Sequence, residues 1–140
     1  MSTIAVIADA VTASLNAGTF SQPFTAQRVY QPAFTLEELA ELRVSVVPRS
    51  TAIAVSSRDA GQFDHVIDVG VQKKVADDGE IDGLLDLVEE IADHLRLKRL
   101  PDFPEAAWLG IAHEPVVSSE AIVEHRAFTS VLTVTYRVRR

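Results

Sequence analysis

The sequence contains no cysteine. That excludes disulfides, thiolate zinc sites, iron–sulfur clusters and thiol nucleophiles together, and it fits a reducing compartment. Glycine is sparse: Gly18, Gly61, Gly70, Gly79, Gly83 and Gly110 are scattered along the chain. None belongs to a glycine-rich loop opening a helix, so phosphate-loop and dinucleotide chemistry are not expected. No serine stands in a nucleophile-elbow context. Positive charge is also short, with 13 Lys+Arg against 20 Asp+Glu and a net charge of −7. General nucleic-acid binding is therefore not expected, because phosphate contacts need a positive surface. The aromatic interleaving of single-strand binders is missing as well. No run approaches the ~20 apolar residues of a membrane helix. Residues 1–18 lack the basic start and long apolar core of a signal peptide. Neither membrane insertion nor secretion by these routes is expected.

What is present is an ordinary globular balance: 47% hydrophobic and 24% charged residues over 140 positions. Length and composition predict a single domain over residues 1–140. A domain of that size buries roughly two-thirds of the surface its unfolded chain exposes.

Periodicity sets the elements. Ile4, Ile7, Ala8, Val11 and Leu15 recur at helical spacing, with Thr3 as a cap and Gly18 as a stop. Residues 24–30 read as a strand ending before Pro32. Thr35 and Glu38 form a capping box ahead of Leu39 and Leu42, in a stretch read as a connector. Residues 43–47 read as a strand stopped by Pro48, residues 51–57 as a second short strand, and Gly61 as a turn. In residues 65–73, Ile67, Val69 and Val71 alternate with Asp68 and Gln72, which predicts one buried and one wet face.

The strongest element is a helix over residues 80–97. Its stripe is Ile81, Leu84, Leu85, Val88, Ile91, Ala92 and Leu95. Asp77, Asp78, Glu80 and Asp82 crowd its start, and Arg96, Lys98 and Arg99 its end, an order that complements the helix dipole. Residues 108–117, 121–125 and 127–139 read as further strand pieces. In the last, Phe128, Leu132, Val134, Tyr136 and Val138 share a face opposite Thr129, Thr133, Thr135, Arg137 and Arg139. The order predicts an α+β domain with a mainly antiparallel sheet packed against two helices.

Site chemistry is thin. Asp64, His65 and Asp68 do not converge when they lie on one strand, and His94, His113 and His125 have no ligand spacing around them. The acidic run at residues 77–82 lacks the twelve-residue pattern of a calcium loop and reads as helix-start chemistry. No carboxylate pair lies in an evident apolar pocket. No catalytic, cofactor or metal site is expected. The basic residues Lys73, Lys74 and Arg96, with Lys98 and Arg99, and a second group of Arg137, Arg139 and Arg140, read as solvated element ends or as protein-contact positions. Of these, Lys73, Lys74, Arg96, Arg137 and Arg139 are the candidate subunit contacts.

Three stretches carry a resemblance: residues 36–48 (LEELAELRVSVVP), 67–74 (IDVGVQKK) and 80–91 (EIDGLLDLVEEI). With the order helix, strands, helix, strands, the chain resembles the tail terminator, or tail completion, proteins of long-tailed phages and prophages. The neighbouring head–tail joining proteins are similar in size. The resemblance implies a structural virion protein without catalytic residues. It implies a homo-oligomeric, commonly hexameric, ring that caps the tail tube, contacts the tube protein and the head–tail connector, and is assembled in the bacterial host cytoplasm. In such a ring the acidic long helix and the basic end of the last strand are expected to meet across neighbours. The alternative is a small α+β ligand-binding domain or enzyme, since pockets form without linear motifs.

Overall fold

A computed structural model describes residues 2–140. Helix α1 spans Thr3–Ala17 and strand β1 Ala26–Arg28; a 3-10 turn, Glu38–Ala40, precedes β2, Arg43–Ser57. Then come β3 (Ala60–Lys74), α2 (Asp78–Leu95), β4 (Ala107–His113), α3 (Ser119–His125) and β5 (Ala127–Arg139). The chain is α+β, with one five-stranded sheet in the order β1-β2-β3-β5-β4. The sheet is mixed: β1 runs parallel to β2, and the other three pairings are antiparallel.

Local chemistry explains the helix ends. Asp77 caps α2 by accepting from the Glu80 backbone N–H at 2.9 Å, and the Glu80 carboxylate accepts from the Ala76 N–H at 3.1 Å. The carboxylates at this helix start thus satisfy otherwise orphaned backbone donors. The Thr35–Glu38 box forms as read, with both reciprocal bonds at 3.2 Å, and it nucleates only the 3-10 turn. At the end of α1, a Cβ on Gly18 would lie 2.8 Å from the Phe20 ring and 3.0 Å from His94. His94 reaches back to Ser14, its Nε2 lying 3.0 Å from the Ser14 carbonyl, and so ties the ends of α1 and α2 together.

One face of the sheet is covered by helices. Ile7, Val11 and Leu15 of α1 and Leu84, Leu87, Val88, Ile91 and Leu95 of α2 bury themselves against Val44, Val46, Ile67, Val69, Phe128, Leu132 and Val134. Each fully buried aliphatic side chain contributes about 1.5–3 kcal/mol relative to an exposed one. Along β3 and β5 burial alternates with period two, as the sequence pattern predicts.

Several expected boundaries move. Pro48 does not stop a strand. It sits inside β2 beside a register shift between Pro48 and Ser50, where its missing N–H costs no ladder bond. The two short strands are therefore one, and the turn falls at Arg58 and Asp59, while Gly61 pairs with Val55 inside β3. The strand expected over residues 24–30 shrinks to three residues. Residues 121–125 form α3, with Ser118 capping it, and not a strand; His125 therefore lies on a helix.

Candidate subunit-contact site

The outer half of β2 and the start of β3 form an arm. Residues 49–59 are all exposed, on both faces of the strand. Ile53 is 69% and Val55 85% exposed, which is unusual for side chains of this kind in a strand. β1 pairs with β2 only at residues 44–46, with one further bond from the Val29 N–H to the Val46 carbonyl. Beyond this, β2 pairs on its β1 side with no strand among the described residues. Residues 50–57 (STAIAVSS) carry no charge and lie between Arg49 and Arg58.

At the opposite edge of the sheet lies β4. Among the described residues it pairs with β5 alone, and a register shift between Trp108 and Gly110 makes Leu109 the extra residue. Glu105 and Glu114, both exposed, flank it. Beside β4, on the helix side, runs a groove of about 510 Å³ lined by Leu85, Ala92, Trp108, Ile111, Val116 and Leu132, with Glu89, Arg96 and His113 also on its walls. His113 Nε2 lies 2.6 Å from the Ser130 hydroxyl, and burial pulls its imidazole below the ordinary pKa.

A row of side chains crosses the sheet where the arm leaves the body. Thr51, His65, Tyr136 and Trp108 occupy adjacent register positions on β2, β3, β5 and β4. Thr51 Oγ1 and His65 Nδ1 lie 2.9 Å apart. His65 Nε2, Tyr136 Oη and Trp108 Nε1 are buried without a hydrogen-bond partner among the described residues. Phe63 stacks on His65 with ring centroids 6.3 Å apart, and the Arg140 guanidinium lies 4.5 Å over the Phe63 ring. Burial, and next the Arg140 charge, lower the His65 pKa; burial raises that of Tyr136. The root of the arm is thus an aromatic packing joint. His65 is 3% exposed, which shields it from any outside substrate.

The basic candidates separate in space. Lys73 and Lys74 close β3 at the register of Ala127, whereas Arg139 pairs with Gln62 at the far end of β5, roughly 40 Å away at strand rise. Lys73 lies 4.0 Å from Glu80, and Lys74 is exposed. Arg137 donates to both Asp64 carboxylate oxygens at 2.7 and 3.0 Å, and that bond holds the Asp64 carboxyl below its usual range. Arg96 pairs with Asp93 at 3.1 Å and lines the groove. Lys98 and Arg99 lie by Ala107 and Trp108, toward the Arg137 end of the sheet and away from Lys73 and Lys74. Among the described residues no three His, Asp or Glu side chains gather as a metal-binding group.

The arm, the β4 edge and the groove were not singled out from sequence. The signal for the arm lies in what residues 50–57 lack, namely charge and proline, on a strand that reads as half-buried. No protein-family model matches the chain, and a search of curated proteins returns no match.

Proposed function

We propose that this protein is a virion-assembly subunit of the tail-terminator type, which caps a phage tail tube as a homo-oligomeric ring and joins it to the head side. The observation that carries the reading is the open sheet. Its two edges lie on opposite sides of the molecule, and one of them, along residues 50–57, carries no charge or proline to block edge pairing and is exposed with no strand paired on its outer side among the described residues, its one irregularity being the register shift between Val55 and Ser57. A subunit whose neighbours cover that edge has no need of such protection. The partners in this reading are further copies of the chain, the tube protein and the head–tail connector, and the location is the virion tail. The three resembling stretches support the choice of family; the edges supply the physical motive for assembly.

The test is deletion of the gene from an inducible prophage. The expected particles have tails of uncontrolled length, or tails that fail to join heads. Infectious particles with normal tails would refute the reading. It also expects no tightly held metal, so one equivalent of zinc, iron or calcium in dialysed protein would overturn that part.

A second reading, a small ligand-binding domain, draws on the groove of about 510 Å³, a size typical of small-molecule sites. It predicts that the protein carries an extractable apolar molecule or takes up an environment-sensitive apolar dye at one equivalent per chain.

A further inference from the structure

We infer that the free edge of β2 in the arm pairs, as an added antiparallel strand, with the free edge of β4 in a second copy of this chain, seating Ile53 and Val55 in that copy's groove. The contact specifies the interface of the ring proposed above and rests on that reading for closure into a ring. The pairing itself follows from five observations.

The first is direction. Three antiparallel steps separate β2 from β4 in the sheet, so these strands run oppositely. A second copy set beside the first in the same orientation therefore brings β2 against β4 antiparallel, the better-bonded arrangement.

The second is facing. Thr51, Ile53 and Val55 stand in register with His65, Phe63 and Gly61, on the helix side of the sheet. Trp108, Ile111 and His113, in register with Tyr136, Val134 and Leu132, lie on that same side. Continuing the sheet thus points Ile53 and Val55 at the groove wall and leaves Ala52, Ala54, Gly110 and Ala112 together on the other face.

The third is register. Pairing Thr51 with His113, Ala52 with Ala112, Ile53 with Ile111 and Ala54 with Gly110 matches faces throughout. The extra residue Leu109 then lets Val55 meet Trp108 on the correct face.

The fourth is charge. Counting on in this register brings Arg58, in the turn after β2, opposite Glu105, just before β4, and sets Arg49 one residue from Glu114, opposite Pro115, so opposite charges stand near both ends of the uncharged stretches. Such rim pairs fix register and speed encounter.

The fifth is chemistry. Two exposed aliphatic side chains on one edge of the molecule correspond to one apolar groove at the other edge. Strand addition of this kind takes affinity from main-chain bonds and specificity from alternate side chains. Because the two surfaces differ, the contact is head-to-tail, the type that generates rings when the rotation closes.

The absence of cysteine makes the test clean. Purified single variants Ala52→Cys and Ala112→Cys are mixed and oxidised. The expected product is the mixed disulfide dimer, in excess over either self-linked dimer. Mixing Val55→Cys with Ala112→Cys, which places the thiols on opposite faces, is expected to give little. Arg58→Glu in the arm partner slows trapping roughly tenfold, and Glu105→Arg in the other partner restores it. Arm-to-arm dimers as the main product, equal trapping from both faces, or no trapping up to the solubility limit would each overturn the proposal. The gene deletion separates the two claims. Trapping with normal virions leaves the contact and removes the tail function; defective tails without trapping do the reverse.

Discussion

Tyr136 is fully buried, and its hydroxyl has no partner among the described residues. A buried hydroxyl without a hydrogen bond costs free energy, so removing it costs little while removing the ring costs much. Tyr136→Phe is expected to leave stability unchanged or raise it, and Tyr136→Ala to lower it by about 3–5 kcal/mol, by analogy with other large aromatic truncations, in denaturant titration. Neighbouring His65 and distant His113 give a pH signature. Both imidazoles are held below their ordinary pKa by burial. The unfolded chain therefore binds protons, below about pH 6.5, that the folded chain refuses. Stability is full above that value and is lost as pH falls from the unfolded toward the folded pKa. The melting temperature is expected to drop between about pH 7.5 and about pH 5.5, and the drop to shrink in His65→Asn. A drop of the same size in that variant would assign the effect elsewhere.

At the scale of elements, α2 separates what its pattern discloses from what it hides. The stripe read from the sequence includes Leu85 and omits Leu87, yet Leu87 is fully buried and Leu85 half-buried on the groove wall. Periodicity identifies a helix and its mean apolar direction, but a helix wedged between a sheet and a second helix buries a wider arc than one stripe. Leu87→Ala is thus expected to cost about 2–5 kcal/mol, and Leu85→Ala to cost clearly less, in paired thermal melts. Asp77→Ala, which deletes the cap, is expected to cost about 0.5–2 kcal/mol. The same contrast runs through the strands. The alternation of β3 and β5 was legible because one face of each is buried. Pro48 misled because its usual meaning as a breaker assumes a paired strand in the sheet interior, whereas it stands beside a register shift in an edge strand; Gly61 misled because the turn falls two residues earlier, at Arg58 and Asp59, and Gly61 itself is paired on both sides, with Val55 and Arg140. β1 is tied at its first residue to α1, where Asn16 accepts the Ala26 N–H at 2.7 Å and donates to the Ala26 carbonyl at 3.1 Å. That contact spans the α1–β1 connection and leaves no local trace. The candidate site was the least legible part, since edge pairing depends on strand order, which no single segment encodes.

The whole molecule pairs a net charge of −7 with an uncharged projecting edge. Repulsion between like-charged copies opposes non-specific association, while the edge offers one specific route to it. Ile53→Lys is expected to change the stability of the dilute chain by no more than about 0.5 kcal/mol in denaturant titration, because the side chain is exposed. It is also expected to raise solubility and reduce concentration-dependent association in sedimentation. A large loss of stability would show that the arm is supported by the chain's own fold.

Strand order also has a consequence in time. β5 is the last of the five strands in chain order, yet it lies between β3 and β4 and supplies Phe128, Leu132, Val134 and Tyr136 to the core. A ribosome releases β3, α2 and β4 before the strand that joins them exists. The nascent chain must hold an uncovered half-sheet until residue 139 clears the exit tunnel. Folding of this domain is therefore expected to be a single late event, since its most distant contacts are also its central ones. Until then, the exposed β3 edge is a hazard that translation speed and chaperones have to manage.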